Sequence, residues 1–369
     1  MKGRPARSMI ITGLRGVGKT VLLNEFRERA EYSGWVTVEF EASKHDENRF
    51  RQQIAMRLRT ALLRISPRKR WDAHLKRAAR VLGSFSMSFD PDGAISAGLN
   101  ITDFDGLADS QVLEYDLTEL LVSVGEAAQA HKCGVVLLID EIQFLDRNQL
   151  ESLTMAIHKT VQRALPITLV GAGLPQIAEL AGDAKSYSER LFTFPKIDSL
   201  DEDDARKAFA DPARQEGVIW EEDALQCAID VTEGYPYFIQ ELGSAVWGVA
   251  PESPIRRHDV ERSIPIFESG LDVSFFRVRL DRATPLQAAY LRAMAELGPG
   301  PQKASAVAKV MHRDSQSLGP TRSELINMGL LYTPTHGYAS LTVPQFDRFM
   351  QREMPDVVVP QKRHRKGQK

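Results

Sequence analysis

Only two cysteines occur in the 369 residues, Cys133 and Cys227, and they stand far apart. That excludes a disulfide framework and a cysteine-based zinc site. Long apolar runs are missing as well. The longest strong one, Val135–Ile139, is far shorter than the roughly 20 residues a membrane helix needs. An excess of one charge is also lacking: 47 Lys+Arg stand against 49 Asp+Glu, a formal charge of −2. The whole chain is therefore not an obvious binder of polyanions. Its parts differ, however. Arg277–Lys369 carries 15 basic and 7 acidic residues, a balance of +8, and the remainder 32 against 42, a balance of −10. Nucleic acid stays a question for the C-terminal region alone. The N-terminus is basic (Lys2, Arg4, Arg7), but the apolar stretch behind it is too short for a signal peptide. The sequence reads as a cytoplasmic protein without a membrane partner.

What is present is enough apolar residue, 43%, for two or three packed domains. The first 198 residues alternate strand-like and helical segments, which indicates a parallel α/β sheet. Strands are expected at Ser8–Thr12, Trp35–Glu41, Gly134–Ile139, Ile167–Gly171 and Phe192–Ile197. Helices are expected at Val21–Tyr32, with Val21, Leu22, Phe26 and Ala30 on one face, through His45–Val81 with a break near Ser66-Pro67, and at Leu113–Lys132 and Leu150–Ala164. Within Ser84–Thr102, Phe85, Met87 and Phe89 alternate with serines ahead of Asp90-Pro91-Asp92-Gly93, and Ile95, Ala97, Leu99 and Ile101 follow. That pattern predicts an inserted β-hairpin at 84–102, projecting as a contact surface or covering the protein's own sheet. Residues 199–276 read as a small helical domain built on Leu200–Gln215, Glu221–Glu233 and Tyr237–Val249. Residues 277–353 contain Pro285–Leu297, Lys303–His312 and Pro320–Met328 at helix-turn-helix spacing, followed by a ribbon turning at Thr335-His336-Gly337. This is a winged-helix pattern. The tail at 354–369 is basic and reads as disordered.

The chemistry is concentrated in two motifs. Gly13-Leu14-Arg15-Gly16-Val17-Gly18-Lys19-Thr20 satisfies G-x-x-x-x-G-K-[ST] in full. Its glycines let backbone N–H groups converge on phosphate oxygens, and the helix beginning there, with Val21, turns its positive end to the same place. Lys19 would reach the β/γ-phosphates and the Thr20 hydroxyl would ligate Mg²⁺. Arg15 occupies a variable position and is expected to face solvent. The second motif, Val135-Val136-Leu137-Leu138-Ile139-Asp140-Glu141, delivers two carboxylates at the end of a buried strand. Asp140 would hold Mg²⁺ and Glu141 would activate the attacking water. Arg190, just ahead of the fifth strand, is either an arginine finger for a neighbouring subunit or a solvated surface residue. Arg322 on the third helix of the C-terminal unit could face DNA. Thr284–Arg352, however, carries only 7 basic against 4 acidic residues, so packing as a protein-interaction or lid module is the favoured reading.

On these residues the chain resembles the AAA+-related P-loop ATPases, and looks most similar to the origin-recognition-like, archaeal-ATPase and STAND group. GLRGVGKT (Gly13–Thr20), VVLLIDEIQFL (Val135–Leu145), LVGAGLP (Leu169–Pro175), EGYP (Glu233–Pro236) and the winged-helix pattern follow that group's order, over about Arg7–Arg352. The resemblance implies a P-loop NTPase sheet, a helical lid and a C-terminal winged helix. It implies ATP and Mg²⁺ as cofactors, and Pro236 on the nucleotide side of the lid in place of an arginine. Two departures stand out. No polar sensor follows the Ile167–Gly171 strand, where Ala172 and Gly173 stand. Only seven residues precede Ser8, whereas the group usually has a segment there that cups the adenine, so the expected adenine site is open or the start lies further upstream. The reading is a slow Mg-dependent ATPase acting as a nucleotide-controlled switch on a protein partner, with nucleotide-dependent oligomers possible. The alternatives are a DNA-binding ATPase resembling replication initiators or transposition helpers, and a nucleotide-binding scaffold that does not hydrolyse.

Overall fold

The computed structural model describes residues 7–43, 46–67, 70–87, 108–184 and 188–360. The chain divides into two compact units. The first comprises Met1–Gly13 and Lys19–Ile197; the second comprises Asp198–Lys369 together with the short segment Leu14–Gly18.

The first unit is a three-layer α/β structure. Five parallel strands, β1 (Ser8–Thr12), β2 (Val36–Glu41), β3 (Val135–Asp140), β4 (Ile167–Gly173) and β5 (Phe192–Thr193), stand in the order β2-β3-β4-β1-β5. They are rich in Val, Ile and Leu because both faces are covered. Period-2 alternation then sends neighbours to opposite layers. Ile10, Leu137, Ile139 and Leu169 join one core, while Ile11, Val136, Leu138 and Val170 join the other. Helix α1 (Lys19–Tyr32) lies on the smaller core, to which it gives Leu22, Leu23 and Phe26. Val21 is 67% exposed, so the buried stripe of α1 begins at Leu22 rather than at Val21. The larger core is roofed by α2 (Glu47–Ile65), α3 (Ala73–Ser86), α4 (Leu113–Ala130) and α5 (Arg147–Gln162).

The expected hairpin does not begin at Ser84. Helix α3 runs through Ser86, with Phe85 fully buried in the larger core. Leu75, Ala78, Ala79, Leu82 and Phe85 form a helical stripe, and its burial outweighs the short alternation that starts at Phe85. Met87 is half exposed in a turn. Phe89 and the rest of the hairpin lie outside the described residues. The last strand is also shorter than expected: hydrogen-bonded pairing stops at Thr193, beyond which a single bridge joins Thr12 to Lys196.

The second unit opens with four helices, one more than the sequence suggests: α6 (Glu202–Gln215), α7 (Glu222–Thr232), α8 (Pro236–Val249) and α9 (Arg257–Gly270). Asp201 caps α6 by accepting from the Asp204 N–H at 2.8 Å, and Pro236 opens α8 at a position where a missing N–H costs nothing. A π-helical stretch, Leu271–Arg277, follows. Beyond it come α10 (Pro285–Glu296), α11 (Ala304–Val310), α12 (Gly319–Asn327) and α13 (Phe346–Glu353). The small antiparallel strands Gln302–Lys303, Leu331–Tyr332 and Tyr338–Leu341 pair with the last of them in the centre.

Candidate functional site

At the carboxyl ends of β1 and β3 the first unit brings four of the singled-out side chains together. Lys19 is buried at the first turn of α1, and its Nζ donates to the Gly13 carbonyl at 3.0 Å. The Gly13 N–H itself donates to the Gly173 carbonyl at 3.1 Å. Thr20 Oγ1 donates to Asp140 Oδ2 at 2.6 Å. These two residues are 120 apart in the chain, and a hydroxyl and a carboxylate that close form a pair of hard oxygen donors suited to Mg²⁺. Among the described residues no group of three or more His, Cys, Asp or Glu forms a metal cage. The donor set therefore fits an ion that keeps most of its ligands as water and phosphate oxygen. A cavity of about 230 Å³ lined by Thr20, Asp140, Glu39, Glu41 and Arg57 opens beside them.

Glu141 follows in a left-handed backbone conformation, φ 50° and ψ 36°. For a residue with a Cβ this costs about 1–3 kcal/mol and is tolerated where the surroundings hold it. Its N–H donates to Asp140 Oδ1 at 2.8 Å. The sequence reading missed its other partner, Gln143. The Gln143 amide Nε2 donates to Glu141 Oε2, and its Oε1 accepts from the Leu174 N–H at 3.0 Å. Room for that amide comes from Gly173, where an added Cβ would lie 2.6 Å from Gln143 Oε1. The polar group that the sequence lacks at the end of β4 is thus supplied by a side chain from just after β3.

Within the second unit, Leu14–Gly18 is held by the segment around Pro236. Gly16 and Gly18 have φ of 86° and 91°, so this segment turns where residues with a Cβ would be strained. The Tyr235 hydroxyl donates to the Arg15 carbonyl, and the Tyr237 N–H donates to the Gly16 carbonyl at 3.1 Å. A Cβ on Gly16 would stand 3.0 Å from Tyr237 Cβ and 3.2 Å from the Tyr235 ring. Because a trans peptide is planar, the Gly16 and Val17 N–H groups, which share peptides with these two carbonyls, are turned the other way. Burial pushes the Tyr235 phenol well above its ordinary range, so it remains a neutral donor. Neither tyrosine was singled out from sequence; the signal was there in their placement on either side of Pro236.

Arg15 does not face solvent. Its guanidinium lies against Gly329, its Nε is buried without a hydrogen-bond partner, and Arg279 is near. Burial, with Arg15 as the next cause, lowers the Arg279 guanidinium to about 10. Arg322 is also drawn inward. Its Nη2 donates to the Tyr338 carbonyl at 2.7 Å and to Thr333 Oγ1 at 3.0 Å. Arg190 is exposed at the end of the short helix Ser188–Leu191, immediately before β5. Pro236 is half-buried at the start of α8.

Comparison with known proteins agrees with this geometry. Residues 1–170 match the family described as AAA ATPase domain, and residues 273–350 match one described as a domain of unknown function (DUF8462). An uncharacterized HTH-type transcriptional regulator, MJ0774, of Methanocaldococcus jannaschii is 21% identical over 336 residues, which cover 89% of this chain and 78% of that protein. Among solved structures, the Walker-type ATPase PABY2304 of Pyrococcus abyssi is similar with a TM-score of 0.58 and 15% identity, over 93% of this chain and 90% of that one. The Thermotoga maritima RuvB Holliday junction branch migration motor has a TM-score of 0.47 and 15% identity, over 95% and 89%. No helix among the described residues is long and apolar enough to cross a membrane. With a parallel sheet, a glycine-rich loop before α1 and two acids at the end of β3, the N-terminal part of the chain is similar to an AAA ATPase domain over residues 1–170.

Proposed function

We propose that the protein binds ATP with Mg²⁺, hydrolyses it slowly, and uses the nucleotide state as a switch that a protein partner reads. The observation that carries this reading is the 2.6 Å approach of Thr20 Oγ1 to Asp140 Oδ2. It sets the end of the glycine-rich loop against the end of the acid-bearing strand, and Thr20 and Asp140 would hold the ion. Bound there, Mg²⁺ supplies charge neutralisation on the phosphate oxygens. Lys19 would exchange its Gly13 carbonyl for phosphate oxygens, with Gly13–Gly18 contributing N–H groups around them. Glu141 would accept the proton of the attacking water.

Slowness has three supports. On the resemblance to AAA+ ATPases, Pro236 would stand where many of their lids carry an arginine. The polar group at the end of β4 is Gln143, and it engages Glu141 instead of standing free. Arg190 is exposed, and as a finger it would serve only a neighbouring copy in a nucleotide-dependent oligomer. Such an arginine is worth about 10³–10⁵ in rate, so the isolated chain should turn over well below the roughly 1–10³ s⁻¹ typical of enzymes. Switching then rests on different contacts made by ATP and ADP, because equal affinity for two conformations shifts neither.

The experiment is a paired one. Lys19→Ala should abolish nucleotide binding, because the site loses its one loop-borne ammonium. Glu141→Gln should retain ATP and lose turnover. Unchanged turnover in Glu141→Gln would remove Glu141 from the base role, and turnover of many per second without any partner would remove the slow switch.

A second reading, a DNA-binding ATPase resembling replication initiators or transposition helpers, has one specific support. The order α10, strand, α11, α12, strand, strand over Pro285–Leu341 is compatible with the winged-helix reading, and the curated relative bears an HTH-type name. Against it, Arg322 is engaged within the unit. Salt-dependent affinity for duplex DNA, with a slope set by the phosphates neutralised, separates the two readings.

A further inference from the structure

The helices from Ser199 to Gly270 carry sixteen Asp+Glu against six Lys+Arg, a balance of −10, although the whole chain is nearly neutral. Between α6 and α8 this acidic surface opens into an apolar cavity of about 350 Å³. Its aromatic walls are Phe209, Trp220 and Trp247. The Phe209 and Trp220 rings pack at 5.4 Å and 53°. Trp247 is 51% exposed, a large apolar surface left open to water on a helix that buries Phe238, Ile239, Leu242 and Val246. On α8 the cavity is lined at four-residue spacing by Ile239, Gly243 and Trp247, on α6 by Pro212, and by Glu216 just past the end of α6. Gly243 leaves the floor low: an added Cβ would meet nothing nearer than the Phe209 ring at 3.8 Å.

We propose that this cavity is a docking site for a basic amphipathic helix of a partner protein, which inserts one large apolar side chain beside Trp247 and aligns Lys or Arg with Glu216 in the lining and with the acidic helices that carry the lining. Three features favour that occupant. Two helices lining a groove at i, i+4 spacing present the ridge pattern into which a third helix fits. An open apolar cavity beside an exposed tryptophan matches the aromatic anchor pocket at the centre of protein interfaces. The charge of the surrounding helices, with Glu216 in the lining itself, attracts cations and repels the phosphates of nucleic acid. None of the lining residues belongs to the glycine-rich loop.

The test uses the full chain and two dye-labelled synthetic helices of about 18 residues, long enough to be helical alone. Both carry Leu at positions three and four apart. One has Lys at the remaining positions and the other Glu. Fluorescence anisotropy should show saturable binding of the Lys peptide and none of the Glu peptide. Gly243→Leu fills the floor and should weaken the Lys peptide about tenfold or more, equivalent to about 1.4 kcal/mol, with ATP binding unchanged. If that variant fails to fold, Trp247→Ala, at an exposed position, should give the same loss. No binding of the Lys peptide, equal binding of the Glu peptide, or full retention by the folded variant would each overturn the proposal. Retention would mean that the peptide senses the acidic field alone.

Discussion

Gln143 ties Glu141 to the end of β4: one amide donates to the Glu141 carboxylate and accepts from the Leu174 N–H. The amide occupies one oxygen of that carboxylate, so this tie restrains the group that would activate water. Gln143→Ala should raise ATP turnover, by about tenfold or more if the bond is worth the roughly 1.5–3 kcal/mol typical of hydrogen bonds to charged groups. ATP affinity should stay the same. Gly173→Ala should do likewise, since its Cβ would lie 2.6 Å from Gln143 Oε1 and displace the amide. Steady-state turnover and equilibrium affinity of both variants settle the matter; slower turnover in both would make Gln143 a helper of Glu141 rather than a restraint.

Tyr235 is buried, and its hydroxyl donates to the Arg15 carbonyl. Tyr235→Phe removes that donor and leaves a carbonyl without a partner, at a cost of about 1–3 kcal/mol. The expected outcome is weaker nucleotide binding, about tenfold, because the Leu14–Gly18 segment is no longer fixed with its N–H groups turned away from the tyrosines. Burial raises the phenol pKa, so the donor keeps its proton throughout the neutral range. The difference between the native chain and the Tyr235→Phe variant should therefore not change from about pH 6 to about pH 9, roughly one unit below the ordinary phenol pKa. Calorimetric titration with ATP over that range checks both statements.

Thr20→Val should leave ATP binding without Mg²⁺ nearly intact and remove most of what Mg²⁺ adds. The valine keeps the shape of the side chain and loses the oxygen that pairs with Asp140 at 2.6 Å. Affinity measured with Mg²⁺ and with a chelator gives the comparison. An undiminished Mg²⁺ effect would take Thr20 out of the metal set.

The largest stability effect should come from far outside the site. Arg51 on α2 and Asp116 on α4 are 2% and 1% exposed and meet at 2.9 Å. Asp116 also accepts from the Ser110 N–H and hydroxyl. Asp116→Ala leaves the buried guanidinium with Glu47, to which Arg51 Nε donates at 2.9 Å, as its remaining carboxylate, and should cost up to about 3–5 kcal/mol. Replacing both by apolar residues, Arg51→Met with Asp116→Leu, should recover most of that loss. Thermal and urea unfolding of the single and double variants give the figures.

Local features were legible in the sequence because they depend on neighbours in the chain. The glycine-rich loop needs φ values that Gly16 and Gly18 supply. Runs such as Val135–Ile139 specify a strand covered on both faces, and Pro236 specifies a helix start. The α3 stripe ending at Phe85 was less legible, because a serine-spaced alternation competed with the helical period over the same residues.

Only the tertiary structure decided what those pieces do to one another. Strand order places β4 between β1 and β3, and no local pattern encodes a register between strands so far apart in the chain. That placement brings Gly173 beside Gln143 and so gives Glu141 its partner. Arg15 and Arg322 look like surface cations in sequence, yet one lies against Gly329 and the other bonds the Tyr338 carbonyl. The residue type was set by the sequence, but its environment came from packing between distant segments, and environment decides whether a charge faces water, a carbonyl or a ligand.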